Sequence, residues 1–267
     1  MQLQTRSAVA VAAFVDFCVQ RNLSQPPDKI VKNLCTFLCQ DIDQTPTFAY
    51  TRKNTEGILS FRKVQPEMNG REGASPEDAA KARLSRRGAG LAFIELSARF
   101  EARLLDAVPK MWYSMAGGLL SACGGGMYRS ASGVLQELTH VSESSNHADS
   151  LMEKQYGQDV IDSLSVLDAV VPTFHEDVWP KFHELFPMVG LALRSRFSII
   201  RQCAARCFAT MCDVMTTAAM RYVIEKVVPY LGDSLNLTNR QGATELVYRE
   251  CLRIRMSRNL WLTSHHP

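Results

Sequence analysis

The chain has 267 residues, of which 46% are apolar and 21% charged, so it can bury a sizeable core and is not disordered as a whole. A formal charge of +3 is too mild to imply nucleic-acid binding by electrostatics alone, which needs lysines and arginines gathered on one face. The eight cysteines fall mostly in apolar segments and not in loops at framework spacing, which points to reduced thiols in an intracellular protein and away from a secreted disulfide scaffold.

At the start, "TRSAVAVAAFVDFCV" sets Arg6 before a short apolar run. Asp16 interrupts that run and no small-x-small cleavage site follows, so a signal peptide is the weaker reading. Val11, Phe14, Val15 and Cys18 recur at helix spacing and predict an amphipathic helix over 2–20. No apolar stretch approaches the roughly 18 residues of a membrane span, so a soluble chain without a membrane partner is expected.

Further helices are expected at 27–40, 89–107, 109–122, 157–172, 176–192, 196–215, 218–231 and 239–255. Apolar residues return there every three or four positions, and Pro27, Pro109 and Pro180 stand near helix starts. Strand signals are scarce. Two polar stretches interrupt the pattern. Residues 41–88 are rich in charge, Gly, Ser and Pro and read as a mostly disordered insertion, and 124–156 reads as a second polar insertion.

A repeat is visible late in the chain. "RQCAARCF" at Arg201 and "RQGATELV" at Arg240 share Arg-Gln-x-Ala, 39 residues apart, and each follows a segment with a proline and aliphatics, "LFPMVGLAL" and "VVPYLGD". A period near 40 with two helices per unit is the signature of HEAT-type repeats. The expected fold is therefore all-α: a HEAT-repeat α-solenoid of about four to four and a half helical pairs with two long polar insertions. Its units are a helical pair in 1–40, the insertion 41–88, a pair in 89–123, the insertion 124–156, repeats over 157–248 and a divergent basic tail at 249–267. Arg201, Arg240 and Asp233 are expected to form a structural ladder between repeats, with Asp233 close enough to pair with Arg240. An exposed pair of that kind contributes about 0–1 kcal/mol.

Chemistry is harder to find. Cys203 and Cys207 share a helix face, while Cys212 lies about 900° of helix rotation from Cys203, so the three cannot converge on one ion. No C-x-x-C turn of the kind zinc sites favour is present, and the thiols read as small apolar core residues, as do Cys35 and Cys39. "AGGLLSACGGGMY" lacks the Gly-Lys-Ser/Thr that ends a phosphate loop. His175 and His183 are eight residues apart and read as solvated surface residues. No nucleophile, base and orienting group are grouped by spacing, so no catalytic, cofactor or metal residue is expected.

Taken together, "NLCTFLCQDIDQTPTFAYTRK", "RRGAGLAFIELS", "GQDVIDSLSVLDAVVPTFHEDVWP", "ALRSRFSIIRQCAARCFATMCDVMTTAAMRYVIEKVVPYLGD" and "NRQGATELVY" closely resemble the Mot family. These are the TATA-binding-protein-associated factors of the Swi/Snf-like ATPase class, and the likeness is to the late HEAT-repeat region ahead of the motor. It covers most of residues 1–248, and is poor over about 124–150 and from Arg249 onward. The resemblance implies a nuclear protein whose solenoid grips the TATA-binding protein while a motor domain uses ATP and magnesium to strip it from DNA. The motor's nucleotide motifs are missing here, so the chain is expected to be a fragment, a non-catalytic scaffold segment. Its implied partners are the TATA-binding protein and the family's own motor, with DNA engaged only indirectly, and no contact residue carries over. The alternatives are a HEAT-repeat scaffold for nuclear transport or phosphatase assembly, and a helical cysteine enzyme. Import receptors tend to be acidic, which the slight positive charge disfavours, and a reactive thiol would need to be partly exposed with a low pKa.

Overall fold

The computed structural model describes residues 2–48, 75–122 and 147–264, with the turns at 147–156 and 251–264 described by their backbone alone. Among the described residues every regular element is helical. They are α1 (Gln2–Gln20), α2 (Gln25–Leu38), α3 (Pro76–Phe100), α4 (Leu104–Ala107), α5 (Lys110–Ala122), α6 (His147–Val170), α7 (Trp179–Phe182), α8 (Phe186–Ala192), α9 (Ser198–Val214), α10 (Thr216–Tyr222) and α11 (Leu237–Ser264). Short 3-10 turns join several of them, and a π-helical turn, Val223–Val227, follows α10.

Local chemistry sets the starts. Pro26 and Pro27 occupy the first turn of α2, where a missing N–H costs nothing, and Asp28 sits at its positive end. Ser75 caps α3: its Oγ accepts from the Asp78 amide at 3.1 Å, Pro76 follows at the first helical position, and Glu77 and Asp78 complement the dipole. This cap moves the start of the helix from the expected residue 89 to Pro76, so 76–88 is helix and not insertion. Likewise α6 begins at His147, ahead of the expected 157, and the backbone of α11 runs on to Ser264, past the expected 255. Of the two expected insertions, residues 49–74 and 124–146 lie outside the described residues.

Packing links the long helices in series. Helix α1 lies on α3, α2 on α3 and α5, α5 on α6, α6 on α9, and α9 on α11. One apolar core runs through them, from Ala8 of α1 to Leu246 of α11. Helix α9 is its centre, buried nearly all round: Ile200, Cys203, Ala204, Ala205 and Cys207 through Cys212 are all buried. Where α11 passes the end of α8 it comes too close for any side chain, since a Cβ on Gly242 would lie 1.7 Å from the Leu193 carbonyl oxygen.

The chain leaving α2 does not drift away. Thr45 donates its backbone N–H to the Asp41 carbonyl at 2.8 Å, and the Asp43 amide reaches the Asp41 carboxylate at 3.2 Å. Asp41, Thr45 and Phe48 are buried. Phe48 donates its N–H to Gln158 Oε1 of α6 at 2.7 Å, and its ring meets Phe197 edge-on with centroids 4.9 Å apart. Residues 41–48, expected to open a disordered insertion, are instead a strap across the later helices. Apolar and backbone contacts to partners more than 100 residues away hold it.

Phe208 has no exposed surface and packs its ring against Phe186 and Tyr222 at centroid separations of 5.5 and 5.6 Å. Phe208→Ala is expected to lower the unfolding free energy by about 3–5 kcal/mol through cavity formation. Tyr113→Ala, at a side chain 68% exposed, should change it by less than about 0.5 kcal/mol. Urea unfolding of the two variants checks both values.

Candidate functional site

Arg201 is the fourth residue of α9 and Arg240 the fourth of α11. Each folds back on the chain that enters its own helix. Arg201 Nη1 donates to the carbonyls of Ser195 and Arg196 at 2.9 and 3.1 Å, and Arg240 Nη1 donates to the carbonyl of Asp233 at 2.7 Å. The contact to Asp233 is thus through its backbone. The Asp233 carboxylate instead accepts from the amides of Leu235 and Asn236, both at 3.0 Å, and from the side chains of Asn236 and Asn239. It organises the turn into α11.

The two arginines differ in setting. Arg201 is only 2% exposed, and its Nε lies 3.4 Å from Glu245 Oε1 of α11. Burial pulls the Arg201 pKa down and pushes the Glu245 pKa up, and their mutual attraction opposes both shifts. This is a desolvated pair, whose worth lies more in fixing α9 against α11 than in net energy.

A second polar cluster joins five elements that spacing could not connect: α2, α3, the strap, α6 and α9. Arg206 of α9 pairs with Asp168 of α6 at 2.9 Å and donates to the Gln44 carbonyl of the strap at 2.6 Å. Thr210 donates to the other Asp168 oxygen at 2.6 Å. Arg86 of α3 donates to the Leu38 carbonyl at the end of α2. Its pKa is lowered by burial first and by Arg206 second, against the pull of Asp168 and Asp41. The sequence reading assigned neither Asp168 nor Arg206 a role, and placed Arg86 in the expected insertion 41–88.

Four of the thiols are chemically quiet. Burial pushes Cys35 and Cys39 up to about 12 and Cys203 up to about 11, and raises Cys207 well above its ordinary value, so none supplies a thiolate at neutral pH. Cys212 is buried as well, on a helix with almost no solvent face. Among the described residues no group of three or more His, Cys, Asp and Glu side chains is placed to hold a metal ion. His175 faces solvent beside Asp177, and His183 stacks on Phe186 at 5.1 Å.

Between α2, α5 and α6 lies an open cleft of about 810 Å³, lined by Lys32, Cys39, Tyr113, Asp159, Asp162 and Ser163 among others. Burial raises the Asp162 pKa against the hydrogen bond from Gln158, 2.7 Å long. The cleft presents charges of both signs beside the protonated thiols of Cys35 and Cys39.

The Asp233 carboxyl is held down at about 2, mainly by the Asn239 and Asn236 side chains. A carboxyl depressed in the folded state stabilises above its unfolded pKa of about 4, and that contribution disappears as pH falls toward 2. The urea midpoint of the unaltered chain should therefore exceed that of Asp233→Ala at pH 6, and the gap should close between about pH 4 and pH 2. A gap independent of pH would show that the carboxylate does not carry the effect.

Comparison with known proteins gives the chain its relatives. A family described as a domain of unknown function, DUF3535, matches residues 1–114. The TATA-binding protein-associated factor mot1 of Aspergillus fumigatus is 35% identical over 248 residues, covering 92% of this chain and 12% of the relative. BTAF1 of Arabidopsis thaliana is 29% identical over 252 residues, 92% of this chain and 11% of its own length. MOT1 of Saccharomyces cerevisiae is 28% identical over 252 residues, with 92% and 12% covered. The chain spans about an eighth of the length of these relatives. The chain, helical in every regular element of its described residues, is homologous over nine-tenths of itself to one part of the TATA-binding protein-associated factors of the Mot1/BTAF1 family.

Proposed function

We propose that this chain is a non-catalytic HEAT-repeat scaffold segment of a nuclear transcription regulator. The whole protein would remove TATA-binding protein from DNA with ATP hydrolysed by a motor domain outside this segment. Homology to proteins named TATA-binding protein-associated factors carries this reading.

The packing supports it. Helices laid one on the next, with a core continuous from α1 to α11, suit a stiff spacer between a gripping surface and a motor. Arg201 and Arg240 hold the same helical position and clasp the preceding carbonyls in the same way, which supports aligning α9 and α11 as equivalent helices of successive repeats. Such a segment transmits force by rigidity, and its buried, protonated thiols fit that role better than a reactive one.

The purified chain is expected to hydrolyse no ATP and to displace no TATA-binding protein from a promoter duplex by itself. In paired pull-downs it should retain the separate motor domain of a Mot1 relative more strongly than purified TATA-binding protein. ATP turnover above background in a clean preparation would overturn the scaffold reading. Tight capture of the TATA-binding protein alone would move the gripping surface into these helices.

A further inference from the structure

A small cavity of about 150 Å³ opens between α8, α10 and the turns that follow α10. Arg194, Tyr222, Lys226 and Tyr230 bring its polar groups, and no acidic residue is among those that line it. Ligand pockets for whole small molecules run to about 300–1,000 Å³, so this one admits a single anionic group and no nucleotide.

Its cation is built in place. Arg194 Nε donates to Asn239 Oδ1 at 2.9 Å, and Asn239 in turn donates to Asp233 Oδ2 at 2.6 Å. The guanidinium also lies over the Tyr230 ring, 4.9 Å from its centroid. A guanidinium fixed through Nε and stacked on a ring keeps its terminal nitrogens for an oxyanion, and little ordering entropy remains to be lost on binding. Tyr222 is held as firmly, between Phe186 and Phe208, and a Cβ on Gly190 would come within 2.7 Å of its hydroxyl. Burial raises the pKa of that phenol, which keeps it a donor. Lys226 rides on the π-helical turn, a rare element frequent at functional sites, and its side chain reaches the same cavity from the solvent side.

We propose that this cavity binds a terminal phosphate group, carried by a phosphorylated side chain of a partner protein or free in solution. A phosphomonoester brings a charge of about −1.5 to −2 and three acceptor oxygens, which matches two cations and two phenolic donors. A phosphodiester within a duplex carries one charge and cannot bury its phosphorus in so small a recess.

The test is a titration of the isotope-labelled full chain, followed by amide and arginine Nε–H resonances. Its arms are inorganic phosphate, a phosphoserine peptide with its unphosphorylated twin, a short DNA duplex, and sodium chloride at matched ionic strength. Saturable shifts at Gly190, Arg194 and Lys226 are expected with phosphate. Lys226→Met, at an exposed side chain that leaves folding intact, should weaken binding at least tenfold. Gly190→Ala should weaken it too, by displacing the Tyr222 hydroxyl. Tighter binding of the phosphopeptide than of free phosphate identifies a protein-borne group, and equal affinity identifies the free ion. Shifts that only track ionic strength, saturation by the DNA duplex alone, or undiminished binding by Lys226→Met would each overturn the assignment.

Discussion

Much of this architecture depends on arginines drawn wholly or partly out of water and satisfied by main-chain carbonyls. Arg86 caps the open end of α2 at Leu38, Arg206 fastens the strap at Gln44, and Arg201 gathers the turn before α9. A helix end or a connecting strap carries carbonyls without partners, and burying them costs free energy unless a donor arrives. A guanidinium suits this work because it offers five N–H groups in a fixed fork and keeps its charge when desolvated. The carboxylates of Asp168 and Glu245 then balance the charges that burial would otherwise leave unpaired. The polar interior is therefore largely a set of joints between elements distant in the sequence.

How far the sequence foretold this depended on distance along the chain. Helix α1 was legible because Val15 and Cys18 keep to helix spacing on a buried face, and α5 because Met111, Met115 and Leu119 do the same. The start of α3 was misplaced because its first turns carry exposed charged residues with no apolar stripe. The Ser75-Pro76-Glu77-Asp78 capping signal was present but outweighed by composition. The strap was missed for a different reason. Residues 41–48 carry few apolar side chains, and what orders them is Gln158 and Arg206, more than 100 residues away.

The candidate sites divide in the same way. Local spacing placed Cys203 and Cys207 together in the core, and both are buried. It set Asp233 close enough to pair with Arg240, and there the Asp233 carbonyl accepts from the arginine while the carboxylate serves the next turn. No sequence pattern marks the recess around Arg194. It assembles from α8, a π-helical turn, a 3-10 turn and an asparagine of α11, and a π turn leaves no periodic trace of its own.

The strap has a further consequence, for the two ends of the molecule that it joins. It leaves α2 at Leu38 and is tied to α6 through Phe48 and Gln158 and to α9 through Gln44 and Arg206. The first helices therefore cannot tilt away from the later ones unless both of these bonds open together. A short stretch of irregular backbone thus acts as a brace, coupling parts of the chain that lie more than 100 residues apart.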